Sequence, residues 1–363
     1  QLMRELDITP RQFGGLISSF ALTAGIVGLA AAPFTDRFDR RKLLLFCYAG
    51  FALATLACGL ADNAATLLWA RAVCGAFGGV SGATVMAIVA DVVPTERRAR
   101  GMGIVMTAFS LAAALGVPFG LKIAQLWKWE APFLVVAVIS AVVWTGLFRN
   151  LPPVHGHLTG GKIRSGKDFL ELIRTKNAWT GLSLMTAMVF GHFTIIPFLS
   201  PYLVGNVGLP EKSLFLIYLT GGLVTIFTAP LIGKLADRHG KLRVYVFLVG
   251  GASLVIGLLT SSGPLPVWQT LVLAALFFAF ASGRFVPGQA AISMAVPSNR
   301  RGAYMSLVAC SRDLASGLTT AIGGQIVASG ADGKLLNFDR LGLLAISVSL
   351  FSVWIFRQLK SAE

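Results

Sequence analysis

The chain has 363 residues, of which 55% are apolar and only 13% charged, and its mean hydropathy is +0.74. A soluble domain carries roughly one-quarter charged residues, so composition excludes a packed water-soluble fold. The formal charge of +15 would suggest nucleic acid as a partner of a soluble protein, but here the basic residues are spread over loops between apolar runs, which removes that reading.

Runs long enough to cross a bilayer as helices, about 20 residues each, fall near 12–34, 43–61, 65–90, 101–123, 131–148, 178–204, 213–235, 243–262, 266–295, 302–328 and 340–357. The segments between them are short except for 149–177, a Gly/Pro/basic stretch that includes P-P-V-H-G-H-L-T-G-G-K. This predicts an N-terminal bundle over 1–148, a linker over 149–177 and a C-terminal bundle over 178–363. Within the linker, 168–176 (D-F-L-E-L-I-R-T-K) suits a short amphipathic helix on the membrane surface. Alternate loops divide the lysines and arginines unevenly, about 21 on one side against about 7 on the other, with Arg71, Arg284 and Arg312 inside spans. The rich side, which includes Arg357 and Lys360 near the C-terminus, is expected to be cytoplasmic, in a bacterial inner membrane. Cys47, Cys58, Cys74 and Cys310 fall in apolar runs and are expected to pack as small hydrophobes.

One pattern occurs in both halves. Ala31 to Lys42 reads A-A-P-F-T-D-R-F-D-R-R-K, and Gly233 to Leu242 reads G-K-L-A-D-R-H-G-K-L, each a charged turn between two apolar runs. Such duplication is the mark of a transporter built from two structural repeats. Superposing the two turns pairs the first five spans with the last five and leaves 178–204 without a partner. The symmetry predicts a further helix before Gln1, twelve in all.

On these motifs the chain resembles the major facilitator superfamily, whose loop between helices 2 and 3 is G-x-x-x-D-R-x-G-R-R/K. Asp36, Arg37, Arg40 and Arg41 match the first copy, with Ala32 and Asp39 where glycines are usual. Gly233, Asp237, Arg238, Gly240 and Lys241 match the second. Asp36 ends one helix, Asp91 ends another, and Arg40 is placed to bridge them by charge-assisted hydrogen bonds. In the family this cluster latches the outward-facing state; Met294 stands at the counterpart of Asp91, so the second latch is expected to be weaker. L-W-A-R-A-V-C-G matches the fourth-helix R-x-x-x-G signature at Arg71 and Gly75, which implies an acidic partner on the first helix, with snorkelling to the interface as the alternative. G-V-P-F-G places Gly116, Pro118 and Gly120 on the fifth helix, where they allow a kink and close packing against the opposite half. That form is similar to the arabinose-permease-like, sugar-efflux branch of the drug:proton antiporter family, although Lys128 and Glu130 depart from its G-W-R-x-x-F.

Ionisable residues deep in a span mark transport chemistry. Arg284 and Asp313 reach similar depths on neighbouring helices and are expected to pair. Arg312 points about 100° from Asp313 and is left for another partner such as a substrate oxygen. His192 could share a proton path or be a hydrogen-bonded structural residue. Gln289, Gln325 and Tyr304, with Phe109 and Phe193, are candidates for the cavity wall.

No G-K-[ST], G-x-S-x-G or H-E-x-x-H motif occurs, and His155 and His157 lack companions at metal spacing, so neither catalysis nor a cofactor is expected. The reading is a monomeric secondary transporter, not an enzyme, that exports sugars, drugs or similar small molecules against protons by alternating access. Alternatives are an importer or facilitator of the same fold, or a non-transporting membrane sensor on this scaffold.

Overall fold

The computed structural model describes residues 2–35, 37–93, 105, 108, 111–154, 174–297, 301–330 and 333–362. A short helix, α1 (Leu2–Glu5), precedes four segments of the first half: α2 (Pro10–Thr35), α3 (Arg40–Gly59), α4 (Ala64–Val92), and a π-helical turn Ala112–Gly116 that runs into α5 (Val117–Leu126). α6 (Ala131–Asn150) completes that half. The second half contains α7 (Lys176–Phe193), α8 (Ile196–Gly205), α9 (Leu214–His239), α10 (Lys241–Thr260), α11 (Val267–Phe277), α12 (Phe285–Ser293), α13 (Arg301–Ile326) and α14 (Phe338–Gln358). A two-residue antiparallel pairing, Ala328 with Leu336 and Ser329 with Leu335, closes the loop before α14.

The caps explain why helices begin where they do. Asp39, in the place of a usual glycine, accepts from the backbone N–H groups of Arg41 and Lys42 and so starts α3. Asn63 does the same for α4 through Thr66. Between α9 and α10 the chain turns at Gly240 with φ of +91°, a left-handed conformation that a side chain would strain.

Nine stretches among the described residues are long and apolar enough to cross a membrane. Some join two helices: Lys176–Gly205 covers α7 and α8, and Val267–Ser293 covers α11, a π-helical turn Phe278–Ser282, and α12. Two of the eleven expected spans fall outside these nine. The 101–123 run is described only in part, and α13 is interrupted by Arg312 and Asp313, although its 26 residues reach about 39 Å at 1.5 Å each.

The halves meet along two seams. α2 lies antiparallel against α13 for most of its length, and α9 packs against α5 and the π turn preceding it. Small residues allow the first approach: Cys310 faces Gly28, Leu314 faces Gly25, and Leu22 faces Gly317. At the end away from the basic turns, Arg4 pairs with Glu211, and the Gln125 amide donates to the Glu211 carbonyl at 2.7 Å. Within the second half, the core gathers α8, α10, α11 and α14 around Phe198, Phe277 and Phe338, all 2% exposed or less.

Candidate functional site

The basic end holds the first charged turn. Arg40, buried at the start of α3, donates from Nε to Asp91 Oδ2 at 3.2 Å and from its guanidinium to the Thr35 carbonyl at 3.1 Å. It therefore ties the ends of α2, α3 and α4 together. Asp36 lies outside the described residues. Arg41 donates to the Phe148 carbonyl at 2.7 Å with its guanidinium over the Phe148 ring, while Arg37 lies over Phe34. In the second turn Asp237 and Arg238 are exposed and Lys241 is half-buried, and none of the three has an ion pair among the described residues. In the corresponding region of the second half the ties among the described residues end on backbone carbonyls. Asn177 donates to the carbonyls of Ala295 and Lys360, both at 2.7 Å, Arg301 donates to the Ser293 carbonyl, and Ala362 N–H donates to the Met294 carbonyl. Sequence reasoning missed this Asn177 clamp because it uses backbone acceptors, which leave no trace in residue type.

Among the described residues Arg71 turns inward to α2; the acidic partner expected on a helix before Gln1 lies outside this sequence. The Arg71 Nε donates to the Leu16 carbonyl at 2.7 Å and its guanidinium lies over Phe20, so it fastens α4 to α2. Gly75 lies on the same contact, and at Gly79 one turn on an added Cβ would come within 2.9 Å of Ala24 Cα. The fifth-helix residues behave differently. Among the described residues Gly116 and Gly120 meet no other helix within 4 Å of an added Cβ, so although α5 and the π turn lie on the α9 seam, these two glycines are not its closest approach. The helix instead carries a π turn, Ala112–Gly116, beside buried Pro118, whose missing N–H and ring disfavour a regular i→i+4 ladder.

The expected Arg284–Asp313 pair is not formed. Arg284 is fully buried and donates to Ser349 Oγ at 2.6 Å and the Met188 carbonyl at 3.1 Å. It points into the core of the second half, joining α7 and α14 across the start of α12, with Tyr245 bonded to Ser352 at 2.7 Å nearby. Asp313 pairs instead with its own neighbour, Arg312 Nε to Oδ1 at 3.0 Å. A 100° offset does separate the two Cβ directions, but an arginine side chain is long enough to reach back across it.

Helix geometry fixes where this pair faces. On α13, Cys310, Leu314 and Gly317 meet α2. Tyr304 donates to the Ala178 carbonyl and Ser311 bonds Thr186, so those positions meet α7. Leu318, 49% exposed, lies between these two contacts on the apolar side. At 100° per residue Arg312 and Asp313 fall on the opposite side, inward between the halves, with side chains 32% and 27% exposed.

The remaining candidates separate. Tyr304 is fully buried against α7 and is a packing residue, not a cavity wall. Gln325 is exposed, Gln289 and Phe193 are half-buried, and Phe109 lies outside the described residues. His192 is boxed by phenyl rings: it stacks on Phe277 at 5.5 Å and meets Phe193 and Phe285 edge-on. Its Nδ1 has no hydrogen-bond partner among the described residues. A cleft of about 540 Å³ opens at the far end beside Asp62, Trp129 and Glu130, remote from the intramembrane charges.

Comparison with known proteins accounts for this architecture. The chain is 27% identical over 267 residues to the MFS-type transporter YtbD of Bacillus subtilis, covering 72% of this chain and 65% of that protein. To YbcL of the same organism it is 23% identical over 353 residues, covering 97% of this chain and 88% of that one. Among solved structures, a bacterial homologue of the human lysosomal transporter Spinster superposes with a TM-score of 0.72 at 16% identity, covering 99% of this chain and 91% of that one. The human organic anion transporter MFSD10 superposes at 0.71 with 18% identity, covering 94% and 83%. The family model of the Major Facilitator Superfamily matches residues 1–320 and again 182–360. The chain therefore belongs to the Major Facilitator Superfamily and is a multi-pass membrane transporter.

Proposed function

We propose that the protein is a proton-coupled exporter of small organic molecules such as sugars, drugs or metabolites, working by alternating access in a bacterial inner membrane with its basic turns and C-terminus in the cytoplasm. The observation that carries the reading is the Arg312–Asp313 pair, which faces the space between the halves. Asp313 is the single carboxylate of the sequence well inside a span, and so the natural proton carrier among these residues. Proton arrival at Asp313 would break the pair, and rocking of the halves about the α2–α13 and α5–α9 seams would carry the site from side to side. The Glu211 contacts at the far end then belong to a state closed to the outside.

A second reading, movement of substrate and proton together, is favoured by one feature of the same pair. Because Arg312 and Asp313 are mutual partners, a ligand that takes Arg312 frees Asp313 for a proton. Proteoliposomes holding a pH-sensitive dye distinguish the two. A compound that drives proton flux in wild type and not in Asp313→Asn supports coupling, and the direction of the flux relative to the compound separates export from co-transport. Transport that persists unchanged in the variant and in the presence of a protonophore refutes both.

A further inference from the structure

Within the spans of this sequence, arginines outnumber carboxylates. Arg71, Arg284 and Arg312 lie within spans, against Asp313 alone. Arg71 and Arg284 are held by neutral oxygens, the carbonyls of Leu16 and Met188 and the hydroxyl of Ser349. These oxygens satisfy hydrogen bonds but cancel no charge. Arg284 in particular is fully buried, with its Nε without a hydrogen-bond partner among the described residues, so its positive field passes through low-dielectric packing with little screening. The space between the halves is bordered on the α13 side by Arg312 itself.

We infer that the substrate carries an anionic group, a carboxylate or a phosphate, which Arg312 takes in place of Asp313. A guanidinium matches both oxyanions in shape and is less costly to strip of water than an ammonium. Exchange of one anion for another keeps Arg312 paired throughout, which a neutral or cationic substrate would not do. The released Asp313 then stands beside a second negative group and becomes the proton acceptor. Cys310 on the same helix is a titratable group near it, α2 carries none between Arg11 and its end at Thr35, α4, which also packs on α13, carries Arg71, Cys74 and Asp91, and the one imidazole on α7, His192, is walled by phenyl rings. This rests on coupled transport through the Arg312–Asp313 pair in its second form, substrate and proton moving together.

The test uses four probes of similar size on the full chain in a non-ionic detergent: phenylacetate, phenylphosphonate, phenylacetamide and phenethylamine. Thermal stabilisation as a function of probe concentration gives the affinity, and a pH indicator in weak buffer gives the proton balance. The anions should stabilise the wild type and the amide and amine should not; the order of the two anions tells carboxylate from phosphate recognition. Arg312→Gln should weaken anion binding by about tenfold or more, and Arg312→Lys should restore part of it. Asp313→Asn should tighten it by about tenfold, because the resident competitor is gone. A gain of that kind is not produced by damage to the fold. The neutral double variant Arg312→Gln with Asp313→Asn guards against misfolding and should bind no anion. Preference for the amine or amide, absence of stabilisation by either anion, or weaker anion binding in Asp313→Asn overturns the inference. Proton uptake with anion binding supports both it and the coupling. Anion binding without any proton change leaves the substrate class standing and refutes coupling at Asp313, whereas proton release on binding the amine does the reverse.

Discussion

Ser349→Ala should cost far more than the loss of a serine hydroxyl in a helix usually does, and only while Arg284 is present. Ser349 Oγ accepts from the Arg284 guanidinium at 2.6 Å and both residues are fully buried, so no solvent replaces the lost acceptor. A hydrogen bond to a charged group contributes about 1.5–3 kcal/mol, and the Met188 carbonyl at 3.1 Å remains as partial compensation. A loss of about 2 kcal/mol is expected, a shift of about thirtyfold in the unfolding equilibrium. Arg284→Met removes the buried charge and keeps most of the volume, which costs little where no carboxylate is left behind. In that background Ser349→Ala should cost only about 0.5 kcal/mol, the share of its own bond to the Ala345 carbonyl. The double-mutant cycle, measured by detergent unfolding, should thus show a coupling of about 1.5 kcal/mol. Strict additivity would refute the claim that Ser349 serves the guanidinium.

The two charged turns should respond unequally to neutralisation. Asp91→Asn strips a partner from nearly buried Arg40, whereas exposed Asp237 has no ion pair to lose, so cysteine accessibility from the two sides should shift toward the inward-facing state with the first variant and little with the second. Equal shifts would show that the turns act as topological charge alone. Gly79→Val should abolish folded protein on size-exclusion chromatography, because the added carbons meet the α2 backbone, while Gly116→Ala and Gly120→Ala should be neutral or slightly stabilising. Glu211→Gln should open the far end by no more than about fivefold in accessibility, since the Arg4 pair is exposed and such pairs contribute under about 1 kcal/mol. The same change should follow from raising the salt concentration on wild type.

The spans were legible because long apolar runs have few alternatives in a bilayer, and the Arg40–Asp91 tie because opposite charges at neighbouring helix ends announce themselves. What escaped had no charge pattern to read. Arg284 is satisfied by a hydroxyl 65 residues away and a carbonyl 96 residues away, neither distinguishable in sequence from dozens of others. Tyr304 resembled a cavity residue because a phenol suits either a pocket or a core; its bond to the Ala178 carbonyl decides for the core. The α13 pair was missed for a different reason, the treatment of side chains as fixed vectors from Cβ, which fails for one as long as arginine.

The π turn at Phe278–Ser282 has a bearing on how this transporter is probed. Each such turn adds one residue to a helix without adding a step to its hydrogen-bond ladder, so by residue number the angular position of everything after it lags about 100° behind that of an uninterrupted helix. A labelling scan through Val267–Ser293 should therefore show two wave trains of equal period that do not join in phase. A single sinusoid fitted across the whole stretch would assign Gln289 to the wrong side of its helix. Deleting one residue from 278–282 should bring the trains into register, with Arg284 still in reach of Ser349 and helix content unchanged.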